Sequence, residues 1–145
     1  VGGVDSEWAI ENSSQRAANF HPDLVILGFG MNDRCGMEEY RNKTGRLIEA
    51  IRKVSPKTEF LLIASTLPNE LAATEPHHFW AHQDEYSESL KGLEGMGVAI
   101  ADIQAVQKEI GKRKRYIDIT GNWLNHPNDY LARILAQVVI KTLGM

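Results

Sequence analysis

The chain has 145 residues, a length that fits one domain able to bury a core without disulfide staples. Hydrophobic residues make up 43% of it and charged residues 24%, an ordinary globular balance, and a net charge of −3 gives no reason to expect a polyanion partner or nucleic acid. The single cysteine, Cys35, excludes an internal disulfide framework, and no run reaches the roughly 18 apolar residues of a membrane span.

The sequence opens on VGGVDSEW, with no initiator Met and no signal peptide, and reads as the interior of a longer protein. Residues 5–20 are expected to be helical: Asp5 or Ser6 caps the start, Trp8, Ala9, Ala17, Ala18 and Phe20 supply a loose apolar face, and His21-Pro22 ends it. Leu24–Phe29 is a continuous apolar run, as in a strand covered on both faces. Tyr40, Leu47, Ile48, Ile51 and Val54 recur at helical spacing over 38–54, and Ser55-Pro56 stops that helix. Glu59–Ser65 is a second buried strand, followed by a polar, proline-containing loop over 66–78. A helix is expected over 79–95, closed by Gly95 and Gly97, then a third strand over Val98–Asp102 and a short helix over Ile103–Gly111. The run KRKR at 112–115 reads as a solvated helix end, and Tyr116–Ile119 as a short extended piece. The last helix is expected over 127–143, with Pro127 in its first turn and Tyr130, Leu131, Ile134, Leu135, Val138 and Val139 facing inward.

No repeat or linker divides the chain, so residues 1–145 are expected to form a single α/β domain. Alternating strands and helices imply a parallel sheet with helices on both faces, and such sheets bind ligands at the carboxyl ends of their strands. Three segments occupy those ends: Gly30–Asp33, Thr66–Asn69 and the loop leading to His126. In the first, glycine permits a sharp turn and Asn32 offers a side-chain amide able to hold an oxyanion, although Asn and Asp also simply form turns. In the second constellation, Asn125–Asp129, His126 precedes a proline and suits either a general base or a helix-start cap. Gly2-Gly3, ahead of a helix, suits an anion-binding N–H or a plain turn.

Taken in order, these residues resemble motif blocks of the SGNH (GDSL-type) hydrolases. Gly3 matches the glycine that closes the second block, Gly30-Met31-Asn32-Asp33 the Gly-x-Asn-Asp of the third, and His126-Pro127 the C-terminal His-Pro. Asn32 falls 29 residues after Gly3, the space that one helix and one strand need, and PDLVILGFGMND over 22–33 is particularly similar to the third block. The resemblance implies a three-layer α/β/α, flavodoxin-like fold whose first strands are absent from this chain. It also implies a serine ester hydrolase with His126 as base, the Asn32 amide and the Gly3 N–H as oxyanion donors, and no metal or organic cofactor.

Two departures accompany the resemblance. The Gly-Asp-Ser block that carries the nucleophile has no counterpart; Ser6, Ser13 and Ser14 lie in a helix and read as capping or surface serines. The family's Asp, three residues before its His, is replaced by Trp123, leaving a backbone carbonyl, Asp118 or Asp129 to orient the imidazole, with Asp33 supporting the oxyanion loop. Pro68, Asn69, His78 and Trp80 are expected to line the substrate region, Trp80 as a surface for sugar stacking or, with Phe79, as core or rim. His77, His78 and His82 suggest a metal cluster, with His78 and His82 at i, i+4, but no further ligand of suitable spacing is evident beyond them and they read as part of that loop, and Cys35 reads as a structural thiol. The GNWLNHPND segment over 121–129 resembles a subgroup in which the family's Asp is absent, and the Asn-His-Pro-Asn-Asp variant with the polar, His-rich loop 66–82 resembles bacterial members that deacetylate polysaccharides, which implies a carbohydrate or small ester substrate and a secreted or periplasmic parent. The strand exposed by the missing block is expected to favour a homodimer. Two rival readings are an inactive SGNH-like interaction module and a flavodoxin-like nucleotide or flavin binder, the second of which needs a glycine-rich phosphate loop that the sequence lacks.

Overall fold

The computed structural model describes residues 2–70 and 81–145. Strands β1 (Leu24–Gly28), β2 (Glu59–Ile63) and β3 (Val98–Ala101) form one parallel sheet in the order β1-β2-β3. The register sets Leu24 against Glu59 and Phe60 against Val98. The central strand β2 fits the expectation of a run covered on both faces, whereas β1 does not, since Leu24 and Ile26 stand exposed on one of its faces; parallel pairing follows from the helical crossovers between the strands.

Helix α1 (Ser6–Arg16) starts where the Asp5 side chain accepts the Trp8 N–H at 2.9 Å. It stops earlier than expected. Ala17 leaves helical geometry, and Ala18–Phe20 continues as a 3-10 turn that ends on His21 at φ 47°. Helix α2 (Met37–Val54) buries Tyr40, Thr44, Leu47, Ile48 and Ile51 on one stripe, with Glu38 and Glu39 in its first turn and Arg52 and Lys53 in its last, the arrangement that suits the helix dipole. The expected helix over 79–95 is instead, from residue 83 on, a 3-10 turn at Gln83–Glu85, a short α3 (Tyr86–Leu90) and a second 3-10 turn at Lys91–Leu93. Helix α4 (Ile103–Gly111) has the expected bounds, capped by the Asp102 carboxylate on the Ala105 N–H at 3.0 Å.

Two further expectations are corrected. Residues 116–118 form a 3-10 turn rather than an extended piece, because the Asp118 carboxylate folds back onto the Arg115 N–H and guanidinium. The last helix, α5, spans Asp129–Thr142: the Asn128 side chain caps it by accepting the Leu131 N–H at 3.1 Å, so Pro127 lies outside and bridges Thr120 instead. Of the residues expected to face inward on α5, only Leu131 is buried; Ile134, Leu135, Val138 and Val139 are half-buried, and Tyr130 is exposed with the Lys114 ammonium 4.8 Å from its ring.

One face of the sheet packs Leu27, Phe60, Leu62 and Val98 into a core shared with Ala9, Leu47, Ile51, Tyr86 and Leu90. The other face is covered less evenly: Leu61 and Ala101 are fully buried, while Ile26 on β1 is 50% exposed and Leu24 40%. Among the described residues β1 pairs only with β2, so its outer edge is open. Leu62 sits in the central strand with no exposed surface. Truncating it removes buried apolar area and leaves a cavity, so Leu62→Ala is expected to lower unfolding free energy by about 3 kcal/mol in urea denaturation; a loss below about 1 kcal/mol contradicts this packing.

Candidate active site at the carboxyl edge of the sheet

The loop after β1 is built around a glycine. Gly30 has φ +113°, and a Cβ there would lie 3.0 Å from the Tyr86 ring and 3.2 Å from the Tyr40 hydroxyl. Those two rings stack with centroids 3.9 Å apart. The Tyr40 hydroxyl donates to Phe29 O at 2.9 Å, and the Tyr86 hydroxyl donates to Cys35 O at 2.7 Å. Burial pushes both phenols far above their ordinary range, so they act as fixed donors at any working pH.

Asp33 is buried and turns its carboxylate inward. It accepts the Gly30 N–H at 3.0 Å, the Ser6 N–H at 3.2 Å and the Ser6 hydroxyl. Ser6 is therefore neither a cap nor a surface residue but half of a latch between α1 and the β1 loop. Asn32, one residue earlier, donates one amide hydrogen to Val4 O at 3.0 Å. Gly3, at φ +75°, and Asn32 share an open cleft of about 400 Å³ with Asp5, Arg34, Cys35, Glu39 and Lys43. The wall is polar and mixed in sign. Glu39 sits 2.9 Å from Lys43 and, against the effect of partial burial, helps hold that ammonium's pKa above its usual value. Burial pushes the Cys35 thiol up, away from thiolate character.

His126 lies on the loop between the 3-10 turn at 116–118 and α5 and is exposed. That loop is tied to the carboxyl end of β2: the Thr66 hydroxyl donates to Asn125 O, the Asn69 N–H to Leu124 O at 2.7 Å, and the Asn69 amide to Trp123 O at 3.0 Å. The Tyr116 hydroxyl, 2.8 Å from Leu124 O and 2.9 Å from Leu67 O, adds a further tie, its pKa pushed up to about 12 by burial. Buried glutamines join this edge to the β1 loop. The Gln83 amide donates to Gly30 O at 2.9 Å and Met31 O at 2.7 Å, and the Gln104 amide donates to Gln83 O at 2.6 Å and Ser65 O at 2.8 Å.

The structure thus brings Gly3 and Asn32 to one cleft, with Asp33 anchoring the loop that carries Asn32, and ties the His126 loop to the segment after β2; His126 is not among the residues lining that cleft. It does not pair Asp118 with the imidazole: Arg115 holds that carboxylate at 3.0–3.1 Å and keeps its pKa below the usual range. Asp129 is an exposed residue in the first turn of α5. Pro68 and Asn69 line a second cleft of about 610 Å³ with Gln107, Lys108, Lys112 and Tyr116. His77, His78, Phe79 and Trp80 lie outside the described residues; His82 is exposed, 3.3 Å from Glu85. No group of three or more potential ligands able to hold a metal ion occurs among the described residues.

A profile of the GDSL-like lipase/acylhydrolase family matches residues 2–134. The chain belongs to this family.

Solved structures agree at the level of the fold. A GDSL-like lipase from Parabacteroides merdae superimposes with a TM-score of 0.82 at 20% identity, covering 98% of this chain and 69% of its own. An acetylxylan esterase from Geobacillus stearothermophilus gives 0.79 at 18% identity, covering 99% and 69%. A carbohydrate esterase family 3 protein from Talaromyces cellulolyticus gives 0.72 at 16% identity, covering 97% and 67%. Comparison with curated proteins finds no match. Within this GDSL-like chain, the supports that sequence reasoning missed are Ser6, Gln83, Gln104 and Asn122. Nothing in a lone Gln or Ser marks it as buried. The expected outcome for Asp33→Ala, which strands the Ser6 and Gly30 N–H groups in the interior, is a stability loss of about 3 kcal/mol by thermal and urea unfolding; a change under about 1 kcal/mol contradicts the latch.

Proposed function

We propose that this chain supplies the general base and the oxyanion donors of a serine ester hydrolase whose nucleophile lies outside the 145 residues. The observation that carries this reading is the shared cleft of Gly3 and Asn32, in which the Asn32 amide is already fixed through one hydrogen to Val4 O. A donor held rigidly before reaction loses little in reorganisation when charge develops, the main source of oxyanion stabilisation. The His126 loop, tied to the next strand end, is consistent with a base serving the same edge.

In the reaction, the serine hydroxyl attacks the ester carbonyl as the His126 imidazole takes its proton. The carbonyl oxygen becomes an oxyanion held by the Asn32 amide and the Gly3 N–H. Collapse expels the alcohol, which takes the proton back from the imidazolium, and leaves an acyl-enzyme. Water then attacks with the same base, releasing the carboxylic acid. No step requires a metal or organic cofactor. For the substrate, we propose acetyl or other short acyl groups on carbohydrate or small esters. The polar lining of the cleft and the carbohydrate esterases among the structural neighbours support that choice.

The test is hydrolysis of p-nitrophenyl acetate by the 145-residue chain and by a longer form that carries an upstream Gly-Asp-Ser. Activity is expected only in the longer form. His126→Ala is expected to lower it by at least about 10³-fold and Asn32→Ala by about 10²-fold. Equal activity in both forms overturns the placement of the nucleophile, and an inactive longer form favours an interaction module.

The same reading leaves the outer edge of β1, with Leu24 and Ile26, available to another strand. The isolated chain is expected to run as a dimer in light scattering at tens of micromolar, and Ile26→Lys is expected to shift it to a monomer. A monomer without the substitution rules out edge pairing.

A further inference from the structure

The backbone of the His126 loop is organised around one side chain. Asn122 Oδ1 accepts three N–H groups in succession, from Leu124 at 3.0 Å, Asn125 at 3.0 Å and His126 at 2.9 Å. To wrap around that oxygen the chain adopts φ +64° at Trp123, a left-handed conformation that a bulky residue holds only when its surroundings enforce it. The segment 120–122 also holds the other polar group of His126. Its carbonyl accepts the Gly121 N–H at 2.8 Å and the Thr120 hydroxyl at 2.9 Å. Both backbone groups of His126 are therefore fixed from this short segment, and Asn122 is the side chain that reaches its N–H. The tethers from Thr66, Asn69 and Tyr116 grip Asn125, Leu124, Trp123 and Leu67 instead.

Among the described residues no carboxylate pairs with the His126 ring, since Asp118 is held by Arg115 and Trp123 stands three residues before the histidine. Among the described residues, the constraint on His126 is the one its backbone supplies. We infer that Asn122 is the positioning residue for His126, fixing the Cα–Cβ direction of the base through three hydrogen bonds to one oxygen. The inference rests on the reading of His126 as the base. It adds that this base is aimed by an amide acting on the main chain rather than by an acid acting on the ring. Asp at this position keeps the acceptor and its shape, whereas Ala removes it and leaves three N–H groups competing for solvent.

The experiment compares the intact protein with Asn122→Asp, Asn122→Ala and Asn122→Ser, the last a shorter acceptor that serves if the alanine variant fails to fold. Amide exchange at His126 is expected to accelerate at least about tenfold in Asn122→Ala while Leu62 in β2 keeps its protection, and Asn122→Asp is expected to restore it. With p-nitrophenyl acetate, Asn122→Ala is expected to lower kcat by about 10–100-fold with KM within about twofold, and Asn122→Asp to stay within about threefold of the parent. Unchanged His126 exchange in Asn122→Ala overturns the inference. So does a loosened His126 with full activity, provided His126→Ala is inactive. If His126→Ala is itself active, the assignment of the base has failed instead. Equal losses at Leu62 and His126 in both Asn122→Ala and Asn122→Ser reduce Asn122 to a general stability role and also overturn it.

Discussion

The candidate site depends on one buried carboxylate. Asp33 accepts hydrogen bonds from Ser6 at the head of α1 and from Gly30 at the end of β1, and so joins two segments that are remote in sequence. A carboxylate without solvent is tolerable only when its oxygens are occupied, so the loop has little freedom to settle elsewhere. Asn32 is presented to the cleft because its neighbour is anchored in the opposite direction. Gly30 completes the constraint: only a residue without a side chain fits against the stacked Tyr40 and Tyr86 rings. In GDSL-like terms, Gly-x-Asn-Asp is less a set of reactive groups than a wedge, a spacer, a donor and an anchor.

The rest of the edge is organised by neutral amides. Gln83 and Gln104 hold backbone carbonyls of the loops that follow β1 and β2, and the Gln107 side chain does the same for Leu67, donating to its carbonyl and accepting its N–H. Side-chain amides suit this role because each carries donors and an acceptor and needs no counter-charge in the interior. Asn122 repeats the device in the His126 loop. Rigidity at both candidate catalytic elements thus comes largely from side chain-to-backbone bonds, while Arg34, Glu39 and Lys43 line the cleft wall.

How legible this was in the sequence varied by element. The strands and α4 could be read because apolar runs and helical spacing act locally. The bounds of the 83–93 region could not, since Tyr86 and Leu90 give a helical rhythm even where the backbone tightens to 3-10. The start of α5 was misplaced by two residues because a proline suits the first turn of a helix, yet the Asn128 cap decides the boundary. Its apolar stripe suggested full burial, whereas burial depends on what else lies on that face of the sheet. At the site, Gly3, Asn32, Asp33 and His126 stood out by motif. Asn122 and Gln83 did not, because their roles exist only once loop backbones from different strands lie within hydrogen-bonding reach.

The order of the sheet also has a kinetic consequence. Each strand pairing joins residues more than 30 positions apart, as Leu24 with Glu59 and Phe60 with Val98. No local hairpin can nucleate such a sheet, so loop-closure entropy must be met before contacts accumulate, which slows folding relative to helical proteins. On a ribosome, β3 cannot dock until about two-thirds of these residues have emerged, and the His126 loop emerges later still. The cleft around Asn32 can therefore take shape before the segment that carries His126 has been synthesised.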